Sequence, residues 1–208
     1  MCIRDRLRWI ERSAKSIKEK DPNHLVSVGS EGLWGCENDL DLWTRIHSLP
    51  DIDYATIHVW PYNWSWVSES TLTDSLPTAC RNASEYIKAH RTSLDKALGE
   101  GHRKPIVLEE FGYPRDNMQY APGTPVSGRD GFYAHVFDEV VGGGDLQGVN
   151  FWGWGGLAVP AHDTWQLGDQ YTGDPAQEAQ GLNSVFAGDA STIALIKKAS
   201  SAIRAGEN

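Results

Sequence analysis

Lys104-Pro105-Ile106-Val107-Leu108-Glu109-Glu110-Phe111-Gly112 reads as a short apolar strand, bounded by proline and glycine, that ends in two carboxylates. An apolar run of this length fits a strand covered on both faces, the kind found in parallel sheets flanked by helices. In such folds chemistry collects where the strands end. A carboxylate there costs burial energy unless it is paired or used. Side chains alternate along a strand, so Glu109 is expected opposite Glu110, turned toward the helices or held by a basic group as a structural residue.

The same punctuation extends outward in both directions. Leu7, Ile10, Ala14 and Ile17 recur at helical spacing, so a helix is expected over Leu7–Lys20, stopped by Asp21-Pro22-Asn23. A strand is expected at His24–Val28, a helix at Asn38–Ser48, a strand at Tyr54–Val59 and a long helix at Ala79–Leu98. Beyond the opening stretch come a helix from Gly131 to Val141, a strand at Gly148–Trp152, and a helix from Thr192 to Arg204. Leu157–Asp189 reads as one long loop, a length usually kept for function. Strands alternating with helices at this spacing argue for parallel strands joined by crossover helices.

Each strand ends in a residue able to bind or react: Glu31, His58, Glu110 and Trp152. Strand ends converge on one face in a barrel and spread along an edge in an open sheet, so the barrel is the better reading. A complete barrel needs eight strands and typically ~250 residues.

Composition removes other classes. The chain has 208 residues, 40% apolar and 23% charged, with a net charge of −9 and no basic block. Nucleic acid and anionic membrane surfaces are therefore not expected partners. No apolar run approaches the ~20 residues of a membrane span. Nine tryptophans are present, and Trp34, Trp60, Trp64, Trp66, Trp152, Trp154 and Trp165 lie beside turn residues. They read either as core or as platforms for flat ligand faces such as sugar rings. Cys2, Cys36 and Cys80 lack metal-ligand spacing, and a Cys36–Cys80 disulfide is allowed but not implied. His162-Asp163 and His58 make no helix-spaced ligand pair, no phosphate-binding glycine loop with lysine occurs, and no Gly-x-Ser-x-Gly elbow is present. No metal or cofactor is expected. Residues 1–6 lack both a signal peptide's apolar segment and its cleavage site, and are expected to be a non-native leader to a single domain over 7–208.

Val107-Leu108-Glu109-Glu110-Phe111-Gly112, His58-Val59-Trp60 and Phe151-Trp152 resemble glycoside hydrolase family 5, most closely its endo-β-1,4-mannanases. Gly29-Ser30-Glu31-Gly32, Tyr54 to Trp64 and Asp174 to Val185 are similar to bacterial mannanase sequence. The resemblance implies a (β/α)8 TIM barrel of which this chain supplies the C-terminal half, about strands five to eight. It implies Glu110 as the nucleophile of a retaining glycosidase and His58 as the strand-six histidine serving sugar hydroxyls and the acid/base machinery. Trp60 stands where most of the family has a tyrosine that bonds the nucleophile; an indole N–H can replace that donor. Trp152 corresponds to the floor under the cleaved sugar, Glu31 to a glutamate that orders the site, and Trp34, Trp64, Trp154 and Trp165 to linings of more distant subsites. The acid/base glutamate of the family sits in an Asn-Glu-Pro-like motif that this sequence does not contain. The expected partner is β-mannan or a related β-1,4-linked polysaccharide, met outside the cell or in the periplasm. The expected activity is endo-hydrolysis of mannan, absent from this piece alone. The same residues also fit an endo-β-1,4-glucanase of the same family, a non-catalytic carbohydrate-binding half-barrel, and transglycosylation on the same machinery.

Overall fold

The computed structural model describes residues 3–206; Met1 and Cys2, where the expected leader begins, lie outside the described residues. The chain divides into two compact units. The first comprises Met1–His58, Glu85–Glu110 and Asp145–Asn150, and the second Val59–Ser84, Phe111–Gly144 and Phe151–Asn208.

The first unit opens with helix α1 (Ile3–Lys20), which begins four residues before the apolar spacing predicts. Ile10 and Ala14 are buried as expected, but Ile17 is exposed, and so is Trp9. Helix α2 (Leu40–His47) is capped by the Asp39 carboxylate, which accepts the Leu42 N–H at 2.9 Å, a device that stabilises a helix start by ~1 kcal/mol. Trp43 of α2 is fully buried and donates its indole N–H to the Thr56 carbonyl at 3.0 Å.

Strands β1 (Ala55–Val59), β2 (Ile106–Phe111) and β3 (Gly148–Phe151) form one sheet in that order. All but the last residue of each strand belongs to the first unit. The Ala55 N–H bonds the Pro105 carbonyl at 2.8 Å and the Gln147 N–H bonds Ile106 at 2.9 Å, so the strand starts lie side by side. The ends match too, with the Trp152 N–H on the Phe111 carbonyl at 2.8 Å. The strands are therefore parallel, joined through helices α3 (Leu76–Leu98) and α4 (Ser127–Val141), as the alternation predicts.

The strand expected at His24–Val28 is not formed. The segment runs extended beside β1, with the Asp53 N–H on the Val26 carbonyl at 2.8 Å and the His58 N–H on the Glu31 carbonyl at 3.1 Å. Between those points side chains replace the ladder: Ser27 Oγ donates to the Tyr54 carbonyl, and Thr56 Oγ1 accepts the Ser30 N–H. Gly29, at φ 62°, turns the chain out of strand conformation.

In the second unit α4 starts at Ser127, four residues before the expected Gly131. Its cap comes from outside the helix. Asp116 accepts the Ser127 N–H at 2.8 Å, the Ser127 hydroxyl at 2.5 Å and the Gly128 N–H at 2.9 Å. Burial pushes the Asp116 carboxyl up, but these donors outweigh it and hold it below the usual range. Gly131 lies against Leu76, whose Cδ2 would be 2.5 Å from a Cβ built there. Tyr113, Phe111, Phe132, Tyr133 and Phe137 form an aromatic core, with Phe111 and Tyr133 4.6 Å apart.

The expected Leu157–Asp189 loop is not structureless. It ends in a short strand, β5 (Val185–Phe186), which pairs in parallel with β4 (Trp154–Gly156). The loop is held by its own polar side chains. Asp174 accepts the N–H groups of Gly181 and Asn183 at 2.7 and 2.8 Å and the Ser184 hydroxyl. Beneath it Arg115 and Arg129, both fully buried, converge on Asp189, which stands at the start of α5 (Ala190–Gly206). The Asp189 carboxylate lies 2.5 Å from Arg115 and also accepts the Phe186 N–H at 2.9 Å, fixing β5 to α5.

Candidate active site

In the first unit the ends of β1 and β2 bring one imidazole to two carboxylates. His58 Nδ1 lies 3.2 Å from Glu110 Oε2, and His58 Nε2 lies 3.5 Å from Glu109 Oε2. The His58 side chain is 12% exposed, and the two carboxylates about 30%, so water reaches the acids more than the base. This corrects the expectation that Glu109 lies opposite Glu110. Along β2, Ile106, Leu108 and Phe111 are fully buried while Val107, Glu109 and Glu110 are not. Leu108 and Phe111 are three residues apart, so the two-residue period slips between them and both acids emerge on the His58 side.

The charge pattern follows from that slip. Burial pulls the His58 imidazole down, but Glu110 and then Glu109 more than offset it, and the net shift is upward from the ordinary value. A neutral imidazole has one N–H; only the imidazolium donates from both nitrogens, as two flanking carboxylates ask.

Glu31 is set by main-chain contacts. Its carbonyl accepts the His58 N–H at 3.1 Å and the Tyr86 hydroxyl at 3.0 Å. The turn that follows depends on Gly32, at φ 96°, where a Cβ would collide with the Tyr86 hydroxyl. His90 Nε2 accepts the Leu33 N–H at 2.9 Å and so holds the same turn. Trp34 stands in that turn, 43% exposed. Cys36, nearby, is a buried free thiol, and Cys80 is free as well.

The second unit carries the remaining expected aromatic residues. Trp60 and Trp152, which directly follow β1 and β3, meet edge to face with ring centres 6.4 Å apart at 74°. Trp60 packs so closely over Gly112 that a Cβ there would sit 2.6 Å from its ring. The peptide bond from Trp152 to Gly153 is cis. Trp64 makes an edge-to-face pair with Trp66 at 5.0 Å. Trp154 is 56% exposed on β4. Trp165 stacks flat on Tyr171, at 5.4 Å and 10°. Nothing periodic in the sequence marks Tyr171, and regular strand alternation would turn Glu109 away from the site. Among the described residues no group of three His, Cys, Asp or Glu side chains is arranged to hold a metal.

Known proteins similar to this chain are glycoside hydrolases that act on mannosides. Mannan endo-1,4-beta-mannosidase 1 of Arabidopsis thaliana is 29% identical over 181 residues, which is 78% of this chain and 40% of that protein. The crystal structure of a glycoside hydrolase family 5 mannosidase from Rhizomucor miehei superposes with a TM-score of 0.80 at 30% identity, covering 95% of this chain and 48% of that one. A mutant of that enzyme, solved in complex with mannosyl-fructose, superposes equally, with a TM-score of 0.80 at 29% identity over the same shares. An endo-beta-1,4-mannanase from Thermotoga petrophila gives 0.63 at 25% identity over 97% of this chain and 40% of that one. The chain thus spans half or less of the length of these relatives. The model of the family described as GH family 5 beta-mannosidase-like matches residues 4–208, and the chain belongs to that family.

Proposed function

We propose that the protein to which this chain belongs is a retaining, endo-acting β-1,4-mannanase, and that the chain contributes the C-terminal half of its (β/α)8 barrel. The observation that carries this reading is the His58–Glu110 contact of 3.2 Å at the ends of adjacent strands, with Glu109 on the other edge of the ring. Glu110 is the nucleophile: its carboxylate oxygen bonds the anomeric carbon as the glycosidic C–O bond breaks, and the bonding pair leaves with the departing oxygen. That oxygen must receive a proton from a second carboxyl group ~5–5.5 Å away across the scissile bond. Glu109 cannot supply it, because it shares an imidazole with Glu110 and stands on the same side. The acid comes from the part of the family's domain outside this chain's span. Trp152 and Trp60 serve as the aromatic floor at the cleaved sugar, and Trp34, Trp64, Trp154 and Trp165 line sugar sites further out. The substrate is a polysaccharide, which places the enzyme outside the cell or in the periplasm.

A good leaving group tests the reading without the missing acid. Dinitrophenolate departs unprotonated, whereas loss of acid help on a polysaccharide costs ~10²–10⁴ in rate. The chain is expected to release 2,4-dinitrophenol from its β-mannoside, to release much less from the β-glucoside, and to leave galactomannan intact. Glu110→Gln should abolish release. Equal release from both sugars refutes the preference for mannose, and release that survives Glu110→Gln refutes the nucleophile. Mannan binding without any release makes the chain a carbohydrate-binding module instead.

A further inference from the structure

We propose that Glu109 is a positioning residue for this reaction: it grips the Nε2 edge of His58 and thereby turns Nδ1 toward Glu110. The role rests on the function proposed above, but the contact itself does not. Glu109 Oε2 lies 3.5 Å from His58 Nε2, while Glu110 Oε2 lies 3.2 Å from Nδ1 on the opposite edge of the same ring. The slip in the strand period puts both acids on this side, and Glu109 lies against Gly29. A Cβ at Gly29 would make ordinary van der Waals contact, 3.6 Å from Glu109 Oε2. Among the described residues, the charged groups acting on His58 are these two acids from β2; the segment before β1 offers it the Glu31 carbonyl, which takes the His58 main-chain N–H at 3.1 Å.

The bookkeeping of charge gives Glu109 its purpose. Before reaction one imidazolium faces two carboxylates. When Glu110 bonds the anomeric carbon, it becomes a neutral ester and its charge is spent. An imidazolium whose side chain is only 12% exposed would then stand unpaired, an unfavourable state for a mostly buried charge. Glu109 forms no bond to the sugar and leaves His58 paired in both states. Without Glu109, a neutral His58 can hold its single proton on either nitrogen, and the tautomer with Nδ1 bare turns a lone pair on Glu110. Burial opposes the charged ring and the acids favour it, with a net upward shift, which agrees with this assignment.

The ¹⁵N resonances of the His58 ring test the proposal in the whole chain, with His58→Asn identifying them among the seven histidines. The ring is expected to titrate above the ordinary histidine value, with both nitrogens protonated below its midpoint. Glu109→Gln should move the titration midpoint down, toward or below that of an ordinary histidine, and should move the upper limb of the pH profile for aryl mannoside release the same way. A His58 midpoint at or below the ordinary histidine value in the unaltered chain overturns the proposal, and this result needs no variant to fold. So does a midpoint left in place by Glu109→Gln in a chain whose circular dichroism is unchanged. If the midpoint moves and no sugar is released, the proposed function fails and takes the purpose of Glu109 with it. If release is intact and the midpoint stays, only the Glu109 assignment fails.

Discussion

Gly112→Ala probes the seating of Trp60. Gly112 follows β2 directly and has no positive φ, so the cost of a methyl group is steric alone. The new carbon would lie 2.6 Å from Trp60 Cζ3 and 3.0 Å from Asn183 Oδ1. Carbon atoms pack best ~3.5–4.0 Å apart, so the indole must retreat by about 1 Å. Forcing one methyl into such a site costs ~1–3 kcal/mol. The retreat also disturbs the edge-to-face contact with Trp152, 6.4 Å between centres, and such a pair is worth ~0.5–1.5 kcal/mol. The expected loss is roughly 2–4 kcal/mol, which in a domain of this size lowers Tm by ~4–16 °C. Thermal unfolding followed by circular dichroism reads the loss, and the near-ultraviolet tryptophan bands read the moved ring. Trp60→Phe removes the outer indole carbons, so adding Gly112→Ala to it should cost at least ~1 kcal/mol less than in the parent. If the two substitutions simply add, or if Tm and the tryptophan bands do not change, Gly112 is not there to admit Trp60.

Other perturbations have equally direct readings. Asp189→Asn leaves the fully buried Arg115 and Arg129 facing an uncharged amide. Breaking a buried pair in this way costs ~3–5 kcal/mol, or ~6–20 °C in Tm, and a fall under ~2 °C by calorimetry would remove this cluster from the account of how β5 is held. Burial pulls His47 and His90 down to about 4. Above pH ~6.5 both are neutral, folded or unfolded. Below it the unfolded chain takes up protons that the folded chain refuses until about pH 4, so stability is lost as pH falls, by ~4 kcal/mol for the two at pH 5. Urea unfolding at pH 7 and pH 5 checks this, and a pH slope unchanged in His47→Asn argues against it. His58 acts in the opposite sense. Its folded value is raised, so its contribution is complete below the ordinary histidine value and is lost as pH rises through the folded one. Glu110→Gln should weaken this loss at alkaline pH in the same urea series.

What could be read from the chain was what depends on neighbours in sequence. Apolar spacing gave α1, α2, α3 and α5 to within a few residues, and short apolar runs bounded by turn residues gave β1, β2 and β3. Strand ends named His58, Glu110 and Trp152, and the motifs around them placed the chain in its family. Errors gathered where distant parts decide. Asp116, eleven residues upstream, caps α4 and lets it begin at Ser127 through two glycines that weaken local helix preference. Asp174 and Asp189 organise the segment that composition marked as loop, and β4 and β5 recognise each other across about thirty intervening residues.

Sequence by itself determined the alternation of strand and helix, the family, and which acid follows which, because these are written in residue type and local period. Tertiary structure alone decided that Glu109 and Glu110 emerge on one side and share His58, and that Trp60 and Trp152 meet over Gly112. The physical reason is packing. The burial of Leu108 and Phe111 three residues apart overrides the strand's own period, and no local preference encodes which distant ring a glycine must make room for.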